Sequence, residues 1–361
     1  MRMFKKFLKI GGAVVLVLLT LAAVFEFLLR LLIPSPPFSS LFNFRPHMNL
    51  KMTPNIRGVA KNGVQSTNAF GMRGDEPPKN WNETTTILAV GGSTTQCFFL
   101  DDQKIWTNVL QRTLEKNGAK VWVGNAGIDG HSTRSHVLLM EDLLPQIKPK
   151  IVVALVGIND MLISLSEDVR FQKNRFDRRS IKSILYAKSK LFQVIYTWKL
   201  ILWDQVQVTQ ANAHLTLVEA PFDPKTESLP KDLHDLIPTL PEFENNLKAM
   251  AQLARAQNVK LVLMTQPSLF DDNDHWRHVQ GNFYWIKKAK HDMSAATYWR
   301  LLNEYNQATL KVCREENLEC LDVASFIPHR EDMFYDAVHL TELGSERVGL
   351  LLAEFLSVGV R

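Results

Sequence analysis

Five short, β-rich apolar runs separated by helical patterns constrain this chain more than any other feature. They are Thr86 to Val90 (TILAV), Lys120 to Val123 (KVWV), Ile151 to Val156 (IVVALV), Val259 to Thr265 (VKLVLMT) and Glu319 to Val323 (ECLDV). Such alternation predicts a parallel sheet connected by crossover helices. Between the first two runs, Ile105, Val109, Leu110 and Leu114 recur at helical spacing, and Gly118 stands where a C-terminal cap belongs. Further helices are expected around Ser135 to Leu144, Glu242 to Ala256, Ala295 to Glu315 and Thr341 to Phe355. With 361 residues, 46% apolar and 22% charged, the chain can bury a sizeable core, and one main α/β domain carrying an insertion is expected.

The N-terminus reads differently. Ile10 to Phe25 carries no charge, and Phe27 to Ile33 extends the apolar run past Glu26 and Arg30, long enough to span a membrane. Glu26 and Arg30, at i and i+4, can pair on one helix face near the far interface. Arg2, Lys5, Lys6 and Lys9 precede the run, so the positive-inside rule leaves the N-terminus in the cytoplasm and everything after Pro34 outside. A cleaved signal peptide is the rival; Ala22 and Ala23 are small, but no clean A-x-A site is present. Residues 34 to 50, with Pro34, Pro36, Pro37 and Pro46, suit an extended tether.

Residues 161 to about 237 are too long for a loop between the third strand and the next helix, so they form an insertion. Within Arg170 to Lys199, nine basic residues face one acid, Asp177, an excess of eight against +5 for the whole chain. Leu191, Phe192, Ile195, Trp198, Leu202 and Trp203 then form an apolar stripe at helical spacing. Three readings stand: a helix packed on the domain, a membrane-surface element beside the anchor, or a flap meeting an anionic polymer. An extracytoplasmic domain argues against nucleic acid as a partner. Cys97, Cys313 and Cys320 lack metal-ligand spacing; Cys313 and Cys320 are either a short bridge in an oxidising compartment or two buried thiols.

Four short motifs lie at strand ends. Ser93, in LAVGGSTTQC, follows the first strand, where parallel sheets present ligand-binding groups. NAGIDG (125 to 130) and GIND (157 to 160) follow the second and third strands, so the backbone N–H of Gly127 and the side-chain amide of Asn159 can act as oxyanion donors near Ser93. For Asn159 and Asp160 a helix N-cap is the bland alternative. DAVHL (336 to 340) lies beyond the fifth strand, where Asp336 can orient the imidazole of His339 as general base for Ser93. Cys97, Asp129, His131 and His136 read as packing or pocket-wall residues, with His131 near enough to Gly127 to touch substrate.

Jointly these blocks resemble the SGNH (GDSL-like) hydrolase family, which is marked by Ser in GDS(L) or GGST, a Gly, Asn in GxND, and DxxH. The resemblance runs from about Asn68 to the C-terminus, interrupted by the insertion. It includes NAFGMRG (68 to 74), similar to a segment in bacterial members linked to cell-surface polysaccharides. Gly92 departs from the Asp of GDS. The resemblance implies a flavodoxin-like three-layer α/β/α fold with a five-stranded parallel sheet, the SGNH hydrolase fold, here preceded by one transmembrane helix. It also implies acyl-ester chemistry through an acyl-serine, with Ser93, Asp336 and His339 as triad, Ser93, Gly127 and Asn159 as oxyanion hole, and no metal or organic cofactor. The division expected is 1–33 anchor, 34–67 tether and 68–361 hydrolase domain. An extracytoplasmic esterase removing acetyl or other acyl groups from carbohydrate is the expected function. An O-acyltransferase using the same triad, or a non-catalytic assembly factor, is the alternative.

Overall fold

The computed structural model describes residues 2–32, 46–166, 185, 189–195, 223, 225, 227, 229–275 and 293–357. It divides into two compact units, Met1–Asn43 with Phe176–Gln210, and Phe44–Arg175 with Ala211–Arg361.

In the first unit, helix α1 spans Arg2–Leu32. Its Gly11–Leu32 stretch is, by length and composition, long and apolar enough to cross a membrane. Glu26 and Arg30 do pair, with Arg30 Nε donating to Glu26 Oε1 at 2.7 Å. Of the stripe expected in the insertion, Leu191, Phe192 and Ile195 fall in a described helical stretch, residues 190–195. Most of the basic run, together with Trp198, Leu202 and Trp203, lies outside the described residues.

The second unit opens with an antiparallel pair, β1 (Asn49–Met52) and β2 (Gly63–Ser66). The expected tether therefore differs: by residue 49 the chain has joined the folded unit. Asp101 Oδ2 accepts the Val64 amide at 2.9 Å, and Asp102 Oδ2 accepts the Ser66 amide at 2.7 Å, which fastens β2 to the loop after the first motif.

The sheet itself is built from β3 (Thr85–Gly91), β4 (Val121–Asn125), β5 (Ile151–Leu155), β6 (Lys260–Met264) and β7 (Glu319–Leu321). These are the five apolar runs, all parallel, in the order β4-β3-β5-β6-β7. Ile87, Leu88, Ala89, Val90, Val152, Val153 and Ala154 are fully buried, as expected for strands covered on both faces. The helices around the sheet are α2 (Ser93–Gln96), α3 (Trp106–Lys116), α4 (Thr133–Ile147), α5 (Ile158–Leu165), α6 (Leu240–Ala256), α7 (Ala295–Glu316) and, after the last strand, α8 (Glu342–Ser357). Helices α3 and α8 pack together on one side, and α4, α6 and α7 pack in series on the other, completing the α/β/α sandwich. Cys313 and Cys320 are joined as a disulfide across the turn from α7 to β7, with Cα atoms 6.2 Å apart.

Strand order reverses at β3. To one side the chain goes to β4, to the other through β5, β6 and β7. Such a switch point opens a crevice at the carboxyl ends of the strands, and three of the four motifs begin there.

Candidate active site

Ser93 leaves β3 as the first residue of α2, half-buried, directly after Gly92. The loop 334–340 is closed by an antiparallel bridge between Phe334 and Leu340 and by a bond from the Tyr335 amide to the His339 carbonyl at 3.0 Å. Inside it, Asp336 Oδ1 accepts the amides of Val338 at 3.0 Å and His339 at 2.7 Å. Its other oxygen, Oδ2, lies 2.7 Å from His339 Nδ1, and His339 Nε2 lies 2.8 Å from Ser93 Oγ. A continuous hydrogen-bonded relay thus joins Asp336, His339 and Ser93 across a sequence separation of 246 residues.

The ring of Tyr335 stacks on the ring of His339, with centroids 5.5 Å apart and planes within 6°. That contact limits the imidazole to its plane, while Asp336 sets its rotation. Burial favours the neutral imidazole, but the charge of Asp336, its hydrogen bond and the charge of Asp129 prevail, so His339 titrates above its ordinary value. Burial likewise opposes ionisation of Asp336, yet the charge and hydrogen bond of His339 and the two backbone amides hold its carboxyl below the usual range.

Asn159 belongs to the same site. Gly157, at φ +118°, makes the turn from β5 into α5 that brings Asn159 to the crevice. One amide hydrogen of Asn159 goes to the His131 carbonyl at 2.9 Å. A Cβ built on Gly92 would fall 2.4 Å from Asn159 Nδ2, so the amide lies against the residue before Ser93. Its second hydrogen remains available to a ligand.

Gly127 lies against α2, where a Cβ built on it would fall 2.5 Å from the Gln96 amide nitrogen, and its backbone N–H donates to Asn125 Oδ1 at 2.9 Å. Along the same loop Ala126 donates to the Ala89 carbonyl, Ile128 to the Gly91 carbonyl, Asp129 to Gln96 Oε1 and His131 to the Ile128 carbonyl. Among the described residues, only the amide of Gly130 in the stretch 126–131 makes no hydrogen bond. Gly130, at φ +73°, is exposed at the apex of this turn. The His131 side chain is buried rather than lining the crevice, and its contribution is the carbonyl that orients Asn159. Burial, reinforced by the charge of His136, holds its imidazole well below the ordinary value.

Two supports were not visible from the motifs. The buried guanidinium of Arg73, in NAFGMRG, donates to the carbonyls of Gln96 (2.9 Å), Cys97 (2.7 Å) and Leu100 (2.8 Å) and twice to Asp102 Oδ1 (2.9 and 2.6 Å). It therefore ties down the C-terminal end of α2, the element that starts with Ser93. Asp160 accepts the Thr133 amide at 3.1 Å and the Thr133 hydroxyl at 2.5 Å, linking the start of α5 to the start of α4. Burial pushes its carboxyl up to about 7, against the pull of the Thr133 bonds. Cys97 is also buried, and burial pushes its thiol up to about 11. No cluster of three or more His, Cys, Asp or Glu residues suited to a metal ion occurs among the described residues.

The family model described as GDSL-like lipase/acylhydrolase matches residues 89–347, most of the chain and all of these groups but Arg73. Among curated proteins, Esterase TesA of Pseudomonas aeruginosa is 35% identical over 77 residues, which is 21% of this chain. The match spans 38% of that relative's length. Among solved structures, the crystal structure of TesA has 17% identity and a TM-score of 0.44, covering 76% of this chain and 98% of that one. An acetyl-xylooligosaccharide esterase, Axe2 of Geobacillus, has 14% identity and a TM-score of 0.42 over 77% of this chain and 95% of that one.

Proposed function

The chain belongs to the GDSL-like lipase/acylhydrolase family, and on that premise we propose that it is a serine esterase working through an acyl-Ser93 intermediate. The carrying observation is the Asp336–His339–Ser93 relay, with contacts of 2.7 and 2.8 Å.

In this reading Ser93 Oγ attacks the ester carbonyl while His339 Nε2 takes its proton. Asp336 keeps the ring proton on Nδ1, which leaves Nε2 as acceptor, and stabilises the imidazolium that forms. The carbonyl oxygen becomes an oxyanion, met by the Ser93 amide and the second hydrogen of Asn159. The third donor expected, the Gly127 amide, is hydrogen-bonded to Asn125 Oδ1 in this structure. Each such donor contributes about 2.7 to 4 kcal/mol of transition-state stabilisation. Collapse expels the alkoxide, which takes its proton from His339. A water deprotonated by the same imidazole then attacks the acyl-serine, releases the acid and returns the proton to Ser93 Oγ.

The site works outside the cytoplasm in this reading, with α1 as its anchor. Four basic residues before the apolar stretch and the Cys313–Cys320 disulfide both support that side of the membrane. Carbohydrate is the favoured alcohol portion, acetyl the favoured acyl group, and the similarity of NAFGMRG to a segment of polysaccharide-linked members is its support. The test supplies the full-length protein with an aryl acetate, with and without acetyl-free glycan, and follows free acetate against acetylated sugar. Free acetate in proportion to turnover is expected. A dominant sugar ester would replace hydrolysis by acyl transfer from the same intermediate, and no turnover in folded protein would refute both.

A further inference from the structure

The relay leaves unused a second contact, which lies wholly within the first unit. Glu26 sits on α1 six residues before its end at Leu32, which at 1.5 Å per residue is about 9 Å along the axis. A carboxylate inside an apolar span is costly unless it is paired. Glu26 has four donors. Oε1 accepts Arg30 Nε at 2.7 Å and the Lys190 amide at 2.8 Å, and Oε2 accepts Ser189 Oγ at 3.0 Å and the Leu191 amide at 2.8 Å.

Three of those donors belong to the insertion, at the start of the helical stretch 190–195. Ser189 caps that stretch, its Oγ accepting the Phe192 amide at 3.1 Å while donating to Glu26. The amides of Lys190 and Leu191, at the start of that stretch, donate to the two Glu26 oxygens. Leu29, one turn on from Glu26, is buried at 9% exposure, whereas Phe25 and Leu28 beside it are 52% and 43% exposed. The same narrow face of α1 is therefore covered.

That arrangement sets a depth. Whatever level Glu26 occupies in the bilayer, residues 189–191 share it to within a hydrogen bond. Leu185 and Ile195, flanking the contact, are 41% and 58% exposed, which in water leaves two large apolar side chains unburied. We propose that Leu185 and residues 189–195 belong to a second membrane element, seated in the bilayer interface against the C-terminal end of the anchor and clasped there by Glu26. The occupant of their apolar face is lipid, continuous with the lipid around α1. Because the chain passes between the two units at 43–44, 175–176 and 210–211, the membrane-bound part is joined to the hydrolase unit by three covalent connections instead of one. The inference rests on α1 spanning the membrane.

The experiment uses full-length protein in phosphatidylcholine vesicles, with one cysteine introduced at a time: Ile195→Cys, Leu185→Cys, Leu18→Cys in the anchor and Phe326→Cys on the hydrolase unit. Each is labelled with an environment-sensitive fluorophore, then quenched with iodide from water or with a shallow nitroxide lipid. Labels at 195 and 185 are expected to lose iodide quenching relative to 326 and to gain quenching by the nitroxide. Adding Glu26→Ala is expected to restore iodide quenching at 195 while leaving 18 unchanged. If 18 is shielded but 195 and 185 are quenched by iodide as strongly as 326, the inference is overturned and the anchor stands. If 18 itself is open to iodide, the anchor reading fails and takes the inference with it. Shielding at 195 that survives Glu26→Ala would overturn the clasp.

Discussion

Replacing Asp336 by Asn perturbs the relay in a way the geometry dictates. Asp336 Oδ1 accepts two backbone amides, from Val338 and His339, while Oδ2 faces His339 Nδ1 at 2.7 Å. An Asn satisfies both amides only with its carbonyl oxygen at the Oδ1 position, which turns its NH2 toward Nδ1. The opposite orientation sets donors against donors at a buried position, at about 1 to 3 kcal/mol for each group left unpaired. With a donor facing it, Nδ1 must accept, so the ring proton moves to Nε2 and points at Ser93 Oγ. The general base is then blocked, as in other triads with the wrong tautomer, where kcat falls about 10⁴-fold, or about 5.4 kcal/mol of barrier. Stability should change little, because both backbone bonds survive. Turnover of an aryl acetate across pH, with thermal unfolding run in parallel, makes the measurement. Wild-type activity should rise with pH through an inflection above 6.5, because His339 must be neutral and its protonation is raised by Asp336. Residual activity in the variant should have that inflection moved down. A loss under tenfold, with the acidic limb unmoved, would refute the tautomer argument.

Three further substitutions probe the surroundings. Arg73→Ala leaves Asp102 and three carbonyls without their buried partner and should lower unfolding free energy by about 3 to 5 kcal/mol in denaturant titrations. Arg73→Lys should recover only part of this, since an ammonium has three donors where the guanidinium makes five bonds. Cys97→Ser should keep most of the turnover, and thiol reagents should not inactivate the folded enzyme, because burial holds that thiol protonated up to about 11. Asp160, raised from 3.8 to about 7, stabilises the fold most below pH 3.8 and loses that contribution as pH rises through 7. The melting temperature of Asp160→Asn should therefore climb relative to wild type between pH 4 and pH 7; a constant difference would contradict the shift.

The sheet was legible because its strands are buried on both faces and read as unbroken apolar runs, and the strand boundaries fell within two residues of those expected at every end. The N-terminal hairpin was not legible. Its strands, Asn49–Met52 and Gly63–Ser66, are four residues each, mixed in polarity, and held by carboxylates of Asp101 and Asp102 from elsewhere in the chain. Asn159, Asp336 and His339 were readable because their motifs sit at strand ends or before the last helix. The bond that engages the Gly127 amide was not, since it comes from the Asn125 side chain, which no spacing encodes. Arg73 was visible only as part of a familiar segment; its role depends on carbonyls more than twenty residues away.

The central claim is that Ser93 is a nucleophile activated by His339. Full-length protein treated with a fluorophosphonate, then digested and analysed by mass spectrometry, tests it directly. A single adduct on the peptide containing Ser93, lost in His339→Ala protein that still unfolds cooperatively, is the predicted result. Folded wild-type protein that carries no adduct on Ser93, or a His339→Ala variant labelled as fast as wild type, would contradict it.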